Sequence, residues 1–180
     1  MHFGNLANPF FTIGHSTQPI VVFVDLLGDA GVRLIVNVRT IPRSRTNPQY
    51  HRHVLTESLS AFEIGYEHIA GLGGLRGRKR DVPPAMNAFW ENQSFHNYAD
   101  HAMTEDFHSS LIRLRELGHA QQCAIMCAET VWWRCHRRMP KRAVCFRFLV
   151  GNDGHFYTDG MDRLLRNKRC GDLFIAHSRA

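Results

Sequence analysis

Two thiols, a carboxylate, an imidazole and two guanidiniums fall within eleven residues, Cys127-Ala-Glu-Thr-Val-Trp-Trp-Arg-Cys-His-Arg137. They follow an apolar run, Cys123-Ala-Ile-Met126, that reads as a buried strand. Packing alone does not ask for this mixture. In an open α/β sheet, the turn that follows a strand's carboxyl end is where ligands bind and reactions occur. Cys127 reads as a nucleophile if Arg134 and Arg137 favour its thiolate. The competing reading is a small thiol packed under a helix. Glu129 is a general base or the ionic partner of a neighbouring cation, and His136 is an acid–base group at neutral pH or a histidine on a helix face. Cys127, Cys135 and His136 also offer a zinc ion thiolate and imidazole ligands. Against zinc, Cys-x7-Cys is not a standard spacing, and adjacent Cys135 and His136 would diverge on a regular helix. The expectation is therefore no cofactor, with zinc on these three residues as the alternative.

The other candidate residues stand at two further strand ends. Phe10-Phe-Thr-Ile13 is a β-prone run that ends in Gly14-His15-Ser16, and Leu34-Ile-Val-Asn-Val38 is a second that ends in Arg39. His15 and Ser16 occupy a turn whose open backbone amides would favour an anion, and Ser16 or Thr17 can also cap the following helix. Arg39, Arg43 and Arg45, with Ser44 among them, suggest a phosphate or carboxylate clamp. The competing reading is a solvated basic loop. If the three strands are parallel neighbours, one crevice collects His15, Ser16, Arg39, Arg43, Ser44, Arg45, Cys127, Glu129, Arg134, Cys135, His136 and Arg137. Trp132 and Trp133 read as core residues or as a platform for a base.

The elements that would position them read as follows. Pro19 suits the first turn of a helix over Ile20–Ala30 that is apolar nearly all round, and Gly31 ends it. Thr56 caps a short helix to Phe62, and Gly65–Ile69 is a third strand. The loop 70–84 carries four glycines with Arg76, Arg78, Lys79 and Arg80. Helices follow over Tyr98–Met103 and Thr104–Leu117. The second has Thr104 as its cap, Met103, Phe107, Leu111, Leu114 and Leu117 on its buried face, and Gly118 as its stop. A helix from Trp133 toward Leu149, interrupted at Pro140, competes with a hairpin between Phe146–Val150 and His155–Thr158. A basic helix or tail covers 161–180. Strands alternating with helices imply an α/β fold: one three-layer domain over residues 1–180, with a mostly parallel central sheet flanked by helices.

Composition agrees with a soluble globular chain: 180 residues, 44% hydrophobic and 21% charged. No apolar run is long enough for a membrane span, and no signal peptide is visible, so the expectation is cytoplasmic with no membrane partner. Five cysteines, an odd number, suggest thiols rather than a disulfide framework. The net charge of +6 favours anionic partners, either a small phosphorylated substrate or nucleic acid.

Taken in order, Thr12-Ile-Gly-His-Ser16, Asn37-Val-Arg39, Pro42-Arg-Ser-Arg45 with Asn47-Pro48, Leu72-Gly-Gly74, Tyr98-Ala-Asp100, Met126-Cys-Ala-Glu129 and Cys135-His-Arg137 resemble the bacterial and archaeal family known as domain of unknown function 488. The resemblance runs over about residues 10–157. It implies a compact α/β domain and no established reaction. Two positions depart from the family pattern: Asn37 stands where an aspartate is usual, and Pro140 interrupts a helix that is continuous in relatives.

The residues themselves support two functions. One is an enzyme, a hydrolase or transferase, acting on a phosphorylated or nucleotide-like substrate. The other is a non-catalytic nucleic-acid-binding protein linked to repair or regulation.

Overall fold

Strands with two buried faces must lie inside a sheet that is covered on both sides, and three strands of this chain, Phe10–Gly14, Leu34–Asn37 and Cys123–Cys127, have that character. The structure is a computed structural model describing residues 10–83, 85–130, 135–136 and, through backbone pairing, 146–148. Its strands are β1 (Phe10–Gly14), β2 (Leu34–Asn37), β3 (Gly65–His68), β4 (Cys123–Cys127) and a short β5 (Phe146–Phe148). The helices are α1 (Ile20–Asp29), α2 (Arg52–Ser60), α3 (Gln93–His101) and α4 (Glu105–Ala120), and tight 3-10 turns form at Pro48–Tyr50 and Ala70–Leu72. The sheet order is β3-β2-β4-β1-β5, and every pairing is parallel.

The twofold alternation of a strand sorts the apolar side chains into two layers. Phe11, Ile13, Ile35, Ala124 and Met126 face Phe23, Val24 and Leu27 of α1 and Leu55 and Leu59 of α2. Phe10, Leu34, Val36, Cys123 and Ile125 face Tyr98 of α3 and Phe107, Leu114 and Leu117 of α4. The fold is thus a single α/β domain with helices on both faces of a parallel sheet. Each fully buried Leu, Ile or Phe side chain contributes about 1.5–3 kcal/mol. Among the described residues no helix is long and apolar enough to cross a membrane.

Several local expectations change. Neither Ser16 nor Thr17 caps α1; Pro19 is its N-cap and supplies no side-chain hydrogen bond. The helix buries one side only, with Val21 63% exposed, and Gly31 follows it at φ +64, a backbone conformation that suits glycine. Helix α2 starts at Arg52, before Thr56, whose hydroxyl instead donates to the Arg52 carbonyl within the helix. Helix α3 starts at Gln93 because Asn92 caps it, accepting from the Ser94 and Phe95 amides. Thr104 does cap α4, accepting from the Phe107 amide, but Met103 is half exposed rather than part of the buried face. Gly118 lies within α4 and does not end it, because a β-carbon there would overlap the Phe10 ring. Residues 146–148 are strand, not helix. The remainder of the Trp133–Leu149 segment outside 135–136 and 146–148, the hairpin partner His155–Thr158 and the tail 161–180 lie outside the described residues.

The two helical glycines should respond in opposite ways to alanine. Gly118→Ala should destabilise the protein by about 1–3 kcal/mol through overpacking against Phe10. Gly28→Ala meets no atom within 4 Å and should stabilise by about 0.5–1 kcal/mol through helix propensity. Urea unfolding of both variants checks this pair.

Candidate functional site at the carboxyl edge of the sheet

Because the strands run parallel, their carboxyl ends share one edge. Gly14 pairs with Cys127, and Asn37 pairs with Met126. The ladder continues past the strands, with the His15 and Ser16 amides donating to the Cys127 and Ala128 carbonyls at 3.0 Å each. Those two amides are therefore engaged, and the turn does not present them to an anion as the sequence suggested. Gly14 makes this closeness feasible, since a β-carbon there would overlap the backbone of Glu129 and Thr130. Ser16 sits at φ +44, so the chain turns sharply out of β1.

Arg39 is the centre of the site, with 6% of its surface exposed. Its Nε donates to Asn37 Oδ1 at 3.1 Å, Nη1 to His15 Nε2 at 3.1 Å, and Nη2 to the Tyr50 carbonyl at 2.7 Å. The His15 Nδ1–H donates to the Ser16 carbonyl at 2.9 Å, so these contacts select the tautomer with its proton on Nδ1. His15 stacks on Tyr50 with ring centroids 4.0 Å apart. Asn37 uses its other end as a donor to the Tyr66 hydroxyl at 2.7 Å, and His68 Nε2 donates to the Arg39 carbonyl at 2.7 Å. Burial lowers the Arg39 pKa from its ordinary value, while the neighbouring Tyr66, Cys127 and Tyr50 groups act to raise it. Burial also pushes the Tyr50 and Tyr66 hydroxyls up, so both stay neutral donors and acceptors.

Beside this network lies a second cluster. One ligand atom each from Cys127, Cys135 and His136 lies within 4.8 Å of the others, and Cys135 Sγ is 3.5 Å from His136 Nδ1. These residues could hold a metal ion. Both cysteines are buried thiols, and His136 is half buried. Cys135 and His136 lie in a bend and a tight turn, so they converge where a regular helix would have spread them apart. Tyr98 packs edge-on against His136, with centroids 5.3 Å apart, and donates its hydroxyl to the Leu72 carbonyl at 3.0 Å. Gly74 passes so close that a β-carbon there would overlap the His136 ring. The turn that carries Gly74 is pinned by His101, whose Nε2 donates to the Gly71 carbonyl at 2.7 Å and whose pKa is held down by burial.

The remaining candidates are placed differently. Glu129 is exposed on the segment after β4, and Arg43 and Arg45 are exposed on the loop after β2. Ser44 serves that loop: its hydroxyl accepts from the Asn47 amide and its carbonyl from His51 Nε2. Arg134, Arg137, Trp132, Trp133 and Pro140 lie outside the described residues. The structure thus brings together His15, Arg39, Cys127, Cys135 and His136. It turns Arg39 inward, whereas the sequence suggested an outward clamp.

The family model described as Domain of unknown function DUF488 matches residues 19–144, more than two thirds of the chain. The chain belongs to this family. Neither a curated protein nor a solved structure matches it. Other motifs noted in the sequence lie around this edge. Leu72-Gly-Gly74 and Tyr98 seat His136, and Asp100 accepts from Asn87 Nδ2 at 2.8 Å near His96. Tyr50, which no motif indicated, is as central as Arg39. Asn37 does two jobs, accepting from Arg39 and donating to Tyr66.

Replacing Asn37 therefore discriminates between its roles. Asn37→Ala leaves the buried Arg39 Nε and the half-buried Tyr66 hydroxyl without this partner and should destabilise by about 1–3 kcal/mol. Asn37→Asp keeps an acceptor for Arg39, and Tyr66 can reverse to become its donor, so it should cost less than the alanine change. Denaturant midpoints of the two variants test this order; an equal loss would contradict the bonding described.

Proposed function

We propose that this chain is an enzyme, a hydrolase or transferase, that acts on a phosphorylated or nucleotide-like anionic substrate at the carboxyl edge of its sheet. The observation that carries this reading is the convergence of His15, Arg39 and Cys127, at the ends of adjacent parallel strands, with Cys135 and His136 beside Cys127. Core packing does not require a buried cation, two thiols and two imidazoles at one edge, and such groups concentrate where charge is managed during a reaction. In this reading Arg43 and Arg45 hold the anion from the loop after β2, where their guanidiniums are exposed to it. Arg39 is a positioning residue that fixes His15 and places a buried positive charge beside Cys127. The Cys127, Cys135 and His136 cluster supplies the reacting groups, and Glu129 acts as acid or base from the following segment.

The net charge of +6 also suits a nucleic-acid binder, and one experiment separates the two readings. The purified protein is assayed against a panel of phosphomonoesters, nucleotides and phosphodiesters, and against duplex and single-stranded nucleic acid for binding. Turnover of at least one small anionic compound is expected. Arg43→Ala and Arg45→Ala should each raise KM about 10-fold with little change in kcat. Cys127→Ser should lower kcat more than about 100-fold. No turnover across the panel, together with nucleic-acid binding that weakens steeply with salt, would replace the enzyme reading with the binding one.

A further inference from the structure

His15, His51, His68 and His101 each direct a ring nitrogen at a backbone carbonyl, those of Ser16, Ser44, Arg39 and Gly71 respectively. His136 makes no such bond among the described residues. Its Nε2 is buried with no hydrogen-bond partner there, and its Nδ1 points to Cys135 Sγ. The ring is held by shape instead, between the Tyr98 ring and the bare Cα of Gly74. The fold therefore positions this imidazole against two thiols without anchoring it to the backbone.

The spacing is that of metal ligands. With zinc–sulfur bonds of about 2.3 Å and zinc–nitrogen bonds of about 2.0–2.1 Å, a tetrahedral ion separates neighbouring S and N ligands by roughly 3.6 Å. Cys135 Sγ and His136 Nδ1 are 3.5 Å apart, and the Cys127 thiol completes a triangle within 4.8 Å. A thiol–imidazole hydrogen bond accounts for the first distance but not for the second thiol. Charge fits as well. Two thiolates balance a divalent cation while the imidazole stays neutral, and thiolate with imidazole is a donor set that suits zinc over harder ions. The Arg39 guanidinium has no carboxylate partner among the described residues, and it lies close enough to Cys127 to favour a negative sulfur.

We infer that Cys127, Cys135 and His136 bind a zinc ion through two thiolates and one imidazole nitrogen. A tetrahedral ion takes a fourth ligand besides these three, and no further His, Cys, Asp or Glu joins the group among the described residues. Any use of the metal in catalysis rests on the proposed function; the binding of the metal does not.

The test uses the full-length, untagged protein, stripped with a chelator under reducing conditions and titrated with cobalt(II) and then zinc(II). The wild type should develop thiolate-to-cobalt charge-transfer absorption with the intense visible bands of a tetrahedral site, and zinc should displace the cobalt. Cys127→Ser, Cys135→Ser and His136→Gln should each weaken zinc binding by at least about 100-fold, beyond the usual effect of an outer-shell change. Gly74→Ala removes no ligand but displaces the His136 ring, and should weaken binding about 10-fold. Cys123→Ser, at the amino end of β4, should bind zinc as the wild type does. Absence of a cobalt–thiolate band in the folded wild type, or zinc binding indifferent to Cys135→Ser, overturns the inference. Because the decisive spectrum is taken on the wild type, a variant that fails to fold leaves the outcome readable. Zinc binding without turnover of any phosphorylated compound would refute the proposed enzyme and leave the metal site standing. Turnover by protein that binds no cobalt would do the reverse.

Discussion

A buried guanidinium held by an imidazole, an amide and a backbone carbonyl is the constraint around which this domain is arranged. Taking a cation out of water costs several kcal/mol even after relaxation. Hydrogen bonds involving a charged group return about 1.5–3 kcal/mol each. Arg39 makes three through its side chain, to His15 beyond β1, to Asn37 on β2 and to the carbonyl of Tyr50. Three such bonds are of the size needed to offset the burial, and the loss of any one leaves the charge under-compensated. The same network explains neighbouring choices. Tyr50 is fully buried because it stacks on His15 and offers its carbonyl to Arg39, and Tyr66 reaches inward because Asn37 needs an acceptor.

The network fixes what lies next to it. A guanidinium cannot lose its proton in a protein, so a constant positive charge faces the end of β4. Negative sulfur at Cys127 is a natural complement. On the other side, three glycines let backbone segments approach more closely than any side chain would permit: Gly14 under Glu129 and Thr130, Gly73 against Thr40, and Gly74 against His136. Close approach at the sheet's edge and compensation of one buried charge are the two conditions under which Cys127, Cys135 and His136 meet.

Much of this was legible in the sequence, and the rest was not for identifiable reasons. The strands could be read because apolar runs such as Cys123–Met126 admit few alternatives once both faces must be covered. Their parallel arrangement followed from the alternation of strands and helices. Helix starts were harder: Arg52 opens α2 to bring Leu55 and Leu59 into the core, a tertiary demand that outweighs the capping preference of Thr56. Gly118 looked like a stop because a glycine needed for close packing and a glycine needed for a turn have the same letter. At the site, the residue types at three strand ends were visible, but the direction each side chain takes was not. Arg39 turns inward because the Tyr50 carbonyl, eleven residues later, lies within its reach. Cys135 and His136 converge because the chain there leaves helical geometry, which spacing arguments built on a regular helix exclude.

The proposed function puts an anionic ligand at the carboxyl edge of the sheet, beside Arg39. Backbone amide NMR shifts recorded during titration with inorganic pyrophosphate test it most directly. Shifts should concentrate at Gly14–Thr17, Arg39–Arg45 and Cys127–Thr130, and should be lost in the doubly substituted Arg43→Ala, Arg45→Ala protein. Shifts that cluster at the amino-terminal ends of the strands, or that persist unchanged in the double variant, would contradict it.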